Sequence, residues 1–357
     1  GSTNLDSETS TKVRLTWLGH ATVVIEVGGV KLLTDPLLRT HAGLLRRHQV
    51  PPAHTTWQDS DLVLLSHLHH DHAELSSLRL LDGVPIVAAH SSARWLRKHE
   101  LPAVGMPVGS AKDLRQLPPA RWRTVSDLYQ RARVLGGQVR SASSALDNVH
   151  ITLTPAVHGH RPMPHRPNAA TGHAVRSGPH RIWFAGDTED YPNLGMLEQH
   201  LGGPIDLAVV PVGGWGPRLS RGHMDPVAAA QACGRIGARS AVAVHWGTLH
   251  PPIVGGLGSG WSSSGGHTFL TPISPLTHAQ VEAWSAECGL GIRGVAGIRI
   301  FNDYLRQPPQ SDADREALLA LERRYCRVDP HWRLGRYLLY TLVRSDSPTP
   351  SAEEPGT

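Results

Sequence analysis

Residues 62–72 constrain the fold of this chain more than any other stretch, because they join an apolar run to a group of potential metal ligands. Leu62 to Leu65 have the length and composition of a strand buried on both faces. The run ends at Ser66, and four candidate ligands follow: His67, His69, Asp71 and His72. Because alternate residues of an extended segment point to the same side, His67 and His69 can bind one ion. The stretch therefore predicts a metal site at the end of a buried strand.

A histidine-rich surface loop is the alternative interpretation, since the chain has 23 His among 357 residues. One isolated His-x-His pair would carry little weight in such a sequence. Four ligands at the end of an apolar run favour the metal site, because imidazole nitrogens and carboxylate oxygens are ligands that zinc accepts. The same donors also bind manganese or iron, so the residues leave the identity of the metal open.

At residues 67–72 the chain resembles the metallo-β-lactamase superfamily, whose signature is His-x-His-x-Asp-His. Residues 17–22 (Trp-Leu-Gly-His-Ala-Thr) and 33–36 (Leu-Thr-Asp-Pro) resemble the branch that includes N-acyl-phosphatidylethanolamine phospholipase D and the ascorbate-phosphate lactonases. Strands that carry ligands at their ends, with helices between them, predict an α/β fold. Specifically, we expect a four-layer αββα sandwich, the metallo-β-lactamase fold, with a C-terminal helical extension.

The resemblance also implies a ligand set for two divalent metal ions. Three later candidates each follow an apolar run, in the segments 151–158, 181–187 and 240–245. The full set is His67, His69 and His158 for one ion, Asp71, His72 and His245 for the other, and Asp187 between them. On the residues alone the third histidine stays open, because His160 and His165 lie close to His158. Zn²⁺ is the expected metal, with Mn²⁺ and Fe as alternatives.

Three residues are expected to act in catalysis: Asp71, His223 and His20. The resemblance places His20 and Asp35 at the floor of the site, although a buried His–Asp pair could equally serve the core. His223 precedes a predicted helix N-terminus, where anions are favoured, and its alternative role is that of an exposed loop histidine. Asp71 would orient a hydroxide that bridges the two ions and accept its proton.

Composition limits the partners and the location of the protein. The net charge is +5, but no basic run is interleaved with aromatic residues, so nucleic-acid binding is not indicated. The positive charge favours an anionic substrate, small or lipid-like. No apolar run is long enough to cross a membrane, and the chain begins without a recognisable signal peptide. Three widely spaced cysteines are typical of reduced thiols in a cytoplasmic protein. The strong excess of Arg over Lys suggests a bacterial source.

The chain is expected to divide into four parts. These are a disordered tail at 1–12, the catalytic domain at 13–274, a packed C-terminal extension at 275–345 and a disordered tail at 346–357. Segment 37–57 is interpreted as a packed loop, with a substrate lid or a membrane-touching patch as alternatives. Short strands are expected near Arg131–Arg140 and Asn148–Thr154, and an amphipathic helix at Asp312–Tyr325 with Ser311 as its N-cap. A homo-oligomer formed through the extension stays open.

The predicted function is that of a dinuclear metal-dependent hydrolase that cleaves a phosphodiester of a phospholipid-like substrate. Lactone or amide hydrolysis on the same site is the first alternative. A diiron redox enzyme on the same fold is an alternative of another class, and a non-catalytic binding protein is a third. No Gly-x-Ser-x-Gly motif suggests a serine nucleophile instead.

Overall fold

The computed structural model describes residues 12–47, 50–116, 118–141, 143–159, 166–214, 219, 221–250, 278–298, 311–329, 332 and 337–344. The strands are β1 (Arg14–Gly19), β2 (Thr22–Val27), β3 (Val30–Thr34), β4 (His41–Ala42), β5 (Leu45–Arg47), β6 (Leu62–Leu64), β7 (Ile86–Ala89), β8 (Ala103–Met106), β9 (Arg123–Thr124), β10 (Val149–Pro155), β11 (Thr171–Ser177), β12 (His180–Phe184), β13 (Leu207–Pro211), β14 (Ser240–Val244), β15 (Leu249–His250), β16 (Leu290–Ile298) and β17 (Tyr337–Arg344).

The α-helices are α1 (Leu75–Leu78), α2 (His90–Lys98), α3 (Val125–Val134), α4 (Leu197–Leu201), α5 (Pro226–Arg235), α6 (His278–Glu287) and α7 (Asp312–Tyr325). Short 3₁₀ helices lie at His54–Thr56, Ala111–Gln116, Ser144–Asn148 and Leu194–Met196.

Two mixed sheets form the centre of the fold. The first has the strand order β1-β2-β3-β6-β7-β8, antiparallel up to β3 and parallel from there. The second has the order β16-β17-β14-β13-β12-β11-β10-β9, with β12, β13 and β14 parallel to one another. A small sheet, β15-β5-β4, joins the segment after β14 to the segment after β3. Parallel strands of one sheet end at the same edge, which is what a site built from strand ends requires.

Successive side chains of each strand point to opposite faces of its sheet, so the apolar core divides into three layers. Val23, Ile25 and Leu32 of the first sheet pack against Ile151 and Phe184 of the second. The other face of the first sheet packs on α1 and α2, and the other face of the second sheet packs on α4 and α5. The order helix–sheet–sheet–helix confirms the predicted four-layer αββα sandwich.

Helix α3 packs against the layer between the sheets. Val125, Leu128, Tyr129 and Ala132 are its buried residues, and they belong to the core cluster that the two sheets share. Thr124 caps the helix by accepting the N–H of Asp127. The sequence interpretation placed a short strand at 131–140 and was wrong there, because the spacing of the buried residues is helical.

The C-terminal extension differs from the predicted helical unit, because it contributes strands as well as helices. β17 pairs with β14 and β16, so the extension lengthens the second sheet. The helix expected at 312–325 is present with Ser311 as its N-cap, in a capping box with Asp314. The predicted domain boundaries stay a prediction. No helix within the described ranges has the length and apolar composition needed to cross a membrane.

His173 is a titratable residue of the core, and burial sets its pKa. Its side chain is fully buried between the sheets, where Nε2 donates to the carbonyl oxygen of Val87 at 3.3 Å. Burial lowers the pKa of His173 to about 4, against the weaker opposing effect of that hydrogen bond. Below the ordinary histidine pKa of about 6.5, the unfolded chain therefore binds a proton that the folded protein excludes.

We expect His173→Leu to make stability less sensitive to acid. Between pH 7.5 and 5, the wild-type protein should lose about 2 kcal/mol of unfolding free energy through His173 alone, at about 1.4 kcal/mol per pH unit. The variant lacks this loss, and the Val87 carbonyl keeps its bond from the Leu65 N–H. Urea unfolding at both pH values, with equal metal content, measures the difference. Equal losses in the two proteins would contradict the assignment.

Candidate metal centre

The predicted ligands converge where the strands of the two sheets end. Residues 67–72 follow β6, while His158, Asp187 and His245 follow β10, β12 and β14. Gly186 makes the approach between the sheets close, since a Cβ there would lie 2.6 Å from the Cβ of Ser66. Its φ of +62° also favours glycine. The geometry therefore brings together side chains that are far apart in the sequence.

The first group consists of His67, His69 and His158, whose donor atoms all lie within 4.8 Å of one another. His158 Nε2 and His69 Nδ1 are 3.1 Å apart. The other nitrogen of His158 donates to the carbonyl oxygen of Gly222, so a neutral ring presents a lone pair to His69. His67 Nε2 is buried and has no hydrogen-bond partner.

The second group consists of Asp71, His72 and His245, together with His20. His72 Nε2 and His245 Nε2 face each other at 3.1 Å. Their other nitrogens donate to Asp35 and to the Gly213 carbonyl oxygen. Asp71 Oδ2 lies 3.6 Å from both Nε2 atoms.

Asp187 lies between the two groups. Its Oδ2 is 3.2 Å from the Nε2 atoms of His72, His223 and His245, and 3.8 Å from that of His67. Its Oδ1 is buried without a hydrogen-bond partner. A carboxylate in this position can offer an oxygen to either side, which fits a residue shared by two cations.

These residues fit divalent metal ions on structural grounds. Two neutral imidazoles whose lone pairs face each other repel unless a cation or a proton lies between them. Unpartnered buried polar atoms are rare in folded proteins, and here two of them, His67 Nε2 and Asp187 Oδ1, face the same cluster. Nitrogen and carboxylate donors in this number suit zinc and also manganese or iron.

The electrostatics of the cluster follow from burial and from its carboxylates. Burial alone would raise the pKa of Asp187, but His245 and His72 lower it well below the usual range. The pKa of His245 is raised to about 9, because the nearby carboxylates of Asp187 and Asp71 outweigh burial. In the first group, burial and the His158 ring lower the pKa of His69 to about 4. Neutral imidazole is the form that binds metal.

Backbone strain is concentrated at this site. His20, Asp35 and His245 have φ values of +51°, +33° and +65°, in or near the left-handed region that favours glycine. Each such residue costs on the order of 1–3 kcal/mol and persists when its surroundings hold it in place. Here the N–H of His245 donates to the His20 carbonyl oxygen at 2.9 Å, so two of the three hold each other.

The two expected catalytic histidines both lie at the cluster. His20 Nε2 is 3.0 Å from Asp71 Oδ2, and burial lowers the pKa of His20 to about 3. His223 is held against the first group by Gly222, where a Cβ would lie 2.1 Å from the N atom of Gly159. The catalytic roles of both residues stay predictions. His160, His165, Trp215 and Trp261 lie outside the described residues.

The sequence interpretation placed Asp35 at the floor of the site but did not identify the side chains that it contacts. Asp35 accepts three hydrogen bonds, from the N–H and the hydroxyl of Ser66 and from Nδ1 of His72. The Ser66 hydroxyl also lies 2.9 Å from His67 Nδ1, so one carboxylate orients ligands of both groups. The Leu-Thr-Asp-Pro segment pointed to Asp35, but its partner was not identifiable.

Two further side chains hold the loops of the site, although neither belongs to a recognisable sequence motif. Glu189 accepts the N–H of Gly222 and so holds the loop that carries His223. The guanidinium of Arg166 donates to the carbonyl oxygens of Leu68 and Ala73, at the two ends of the ligand loop. It also lies over the ring of Trp95, 4.8 Å from its centroid. No local sequence signal could have revealed these contacts, because the partners are far apart in the chain.

Comparison with known proteins agrees with this geometry. The family model of the beta-lactamase superfamily domain matches residues 31–246. The match covers more than half of the chain and includes all seven predicted metal ligands, the last of which, His245, lies just before its end. The chain therefore belongs to the beta-lactamase superfamily, and the predicted membership is confirmed.

Three relatives give the range of similarity. N-acyl-phosphatidylethanolamine-hydrolyzing phospholipase D 1 of Caenorhabditis elegans is 26% identical over 255 residues, which cover 65% of this chain and 63% of that protein. A UPF0173 metal-dependent hydrolase of Aeropyrum pernix is 28% identical over 245 residues, covering 66% and 83%. A tRNA 5-carboxymethoxyuridine methyltransferase of Escherichia coli is 46% identical over 78 residues, covering 22% and 30%. The chain thus spans less than two thirds of the first and third of these proteins.

His69→Ala should lower the metal content of the purified protein while the fold is retained. The imidazole is half-buried, so its removal leaves little void in the core but deletes one donor of the first group. The matched control is His70→Ala, since His70 is exposed and belongs to neither group. Elemental analysis and circular dichroism measure the two effects. Equal metal content in both variants would refute the ligand assignment.

Asp35→Asn should weaken metal binding by about 10–100-fold, the usual effect of losing a carboxylate that orients a ligand. The amide keeps the shape of the side chain but cannot hold His72 in the same tautomer by charge. Asp59→Asn is the control, because Asp59 is exposed and contacts Lys31 instead. Competition with a chromogenic chelator measures the affinity. Identical affinities in the two variants would show that Asp35 does not orient the site.

Proposed function

We propose that the protein is a hydrolase with two divalent metal ions, most suitably Zn²⁺, that cleaves a phosphodiester in a lipid-like anionic substrate. The single observation that carries the proposal is the position of Asp187, 3.2 Å from three imidazoles and between two donor groups. The C. elegans relative, named an N-acyl-phosphatidylethanolamine-hydrolyzing phospholipase D, supports the choice of a phospholipid-like substrate. The A. pernix relative, named a metal-dependent hydrolase, supports the reaction class.

When bound, two such ions would supply Lewis acidity at the phosphoryl oxygen and lower the pKa of the attacking water. His67, His69 and His158 would hold one ion, and Asp71, His72 and His245 the other, with Asp187 shared. The protein's own side chains supply all the ligands of the two groups. Among the described residues, no cysteine belongs to any ligand group. This composition argues for a site of hard and borderline donors rather than a thiolate site.

The protein's own groups would manage the protons. Asp71 Oδ2 is suited to orient the attacking water, because the carboxylate is slightly exposed and stays ionised: burial would raise its pKa, but His72 and His20 hold that pKa well below the usual range. The proposal also assigns to Asp71 the acceptance of the water proton. His20 Nε2 donates to that carboxylate at 3.0 Å and keeps it oriented. His223 lies opposite, next to Asp187, and is proposed to donate a proton to the leaving oxygen.

The proposal includes a cytoplasmic location, and it leaves peripheral membrane contact and a homo-oligomer as open predictions. The lid or membrane role weighed for segment 37–57 is not needed for catalysis. In the fold this segment contributes β4 and β5 to the small sheet, with Leu37, Ala42 and Leu45 buried beside Leu249. That arrangement supports the packed-loop interpretation.

A substrate panel with zinc-loaded protein tests the proposal. We expect hydrolysis of bis(p-nitrophenyl) phosphate, loss of activity after dialysis against a chelator, and recovery with zinc. His223→Ala should lower kcat by about 10²-fold, the usual contribution of a positioned acid. His54→Ala is the control, because His54 is exposed on a short 3₁₀ helix and belongs to no ligand group.

Each alternative has its own signature in the same experiment. Turnover of lactones or amides without turnover of the diester would replace phosphodiester cleavage with the first alternative. Bound iron with oxygen consumption would indicate a redox enzyme instead. Stoichiometric metal with no turnover across esters, diesters and lactones would reject catalysis in favour of a binding protein.

A further inference from the structure

A second cavity lies between the core and the C-terminal helix α7. Its volume is about 780 Å³, within the usual range for small-molecule sites of about 300–1,000 Å³. Three parts of the core line it: residues 17–19, the loop 50–56 and residues 246–248. None of the predicted metal ligands lines it. The cavity is therefore separate from the metal centre.

One face of α7 forms the opposite wall. The lining residues of this helix recur at intervals of three or four: Asp312, Arg315, Glu316, Leu319 and Arg323. This stripe spans about 16 Å along the helix axis, so the cavity is elongated. No residue of α7 is buried, and Leu319 is 46% exposed. Leu319 is the one apolar side chain among these five residues, and it faces the cavity together with the four charged ones.

The core wall is mainly apolar. Trp17 and Trp246 stack with ring centroids 4.9 Å apart, and both indole N–H groups already donate to backbone carbonyl oxygens. Pro51, Pro52 and Ile298 add further apolar surface. This part of the wall can contact a hydrocarbon chain, whereas the polar lining comes from the threonines of the core and the charged residues of α7.

One buried cation sets the charge preference. Arg47 lies in the cavity wall, is 4% exposed, and donates to the carbonyl oxygens of Leu18 and Leu37. Its Nε is buried without a partner, and no carboxylate of the described residues forms an ion pair with it. The α7 charges that line the cavity offset each other, since Arg315 pairs with Asp312 and Arg323 with Glu316. Arg47 is thus left with uncompensated charge, which an anion would balance.

We propose that this cavity binds a single-chain anionic amphiphile, with its apolar chain between the Trp17–Trp246 pair and Leu319 and its anionic head near Arg47. The proposal stands apart from the proposed function, since it uses none of the metal ligands. The wall nevertheless adjoins the metal centre. Thr248 Oγ1 accepts the N–H of His20 at 2.6 Å, and His20 contacts Asp71. A bound amphiphile would therefore touch the residues that hold His20 in its strained conformation.

Calorimetric titration with three probes of equal chain length tests the proposal on the unaltered protein below micellar concentrations. Laurate, dodecyl maltoside and dodecyltrimethylammonium carry negative, neutral and positive heads. We expect laurate to bind at least tenfold more tightly than the cationic probe. Equal or reversed affinities would overturn the role of Arg47.

Matched variants of α7 locate the site. Leu319→Asp should weaken laurate binding at least tenfold, because it places a carboxylate in the cavity wall. Leu321→Asp should leave binding within twofold, since Leu321 is similarly exposed on the same helix but does not line the cavity. Both positions are exposed, so both variants should fold. Equal effects of the two changes would overturn the location.

Removal of the metal separates this site from the metal centre. A carboxylate can bind a metal ion directly, so the laurate titration is repeated after chelation and with His69→Ala. Binding in the cavity should persist unchanged in both. Loss of laurate binding on chelation would assign the ligand to the metal centre and refute a second site.

Discussion

The buried carboxylate of Asp187 is the interaction on which the rest of the site depends. An ionised carboxylate without water is stable only when cations or hydrogen bonds compensate it. Its Oδ2 has three imidazole nitrogens at 3.2 Å, and burial of the whole cluster strengthens their attraction. Each of these imidazoles is in turn fixed through its other nitrogen or its loop. The strand ends that carry these imidazoles must therefore be placed precisely around the buried carboxylate of Asp187.

The sandwich satisfies that requirement because its two sheets end at a common edge. β6 belongs to the first sheet, and β10, β12 and β14 belong to the second. Direct bonds tie the two sides together near the site: the N–H of Thr171 donates to the carbonyl oxygen of Ser66, and the His245 N–H donates to that of His20. The strain at His20, Asp35 and His245 is acceptable for the same reason, since contacts from both sheets determine these conformations.

Much of the fold could be predicted from local patterns, and the candidate ligand set from those patterns together with the family resemblance. The apolar run before His67, the short runs before Asp187 and His245, and the cap at Ser311 each combine a propensity with a boundary signal. Segment 103–150 was harder, because arginines interrupt the helical spacing of α3 and the residues were interpreted as short strands. What could not be predicted were contacts such as Ser66 with Asp35 or Arg166 with Leu68. These depend on tertiary approach and have no local period or motif.

The small sheet β15-β5-β4 connects the two parts of the molecule to which ligands are assigned. Arg47, on β5, pairs with Leu249 on β15 and donates to Leu18, just before His20. The segment after His245 is thereby bound to the segment before His20, and Thr248 adds a direct bond between them. A shift of this segment would move His20, which contacts Asp71, and His245, which contacts Asp187. The wall of the second cavity and the wall of the metal centre are thus two sides of the same short stretch of backbone.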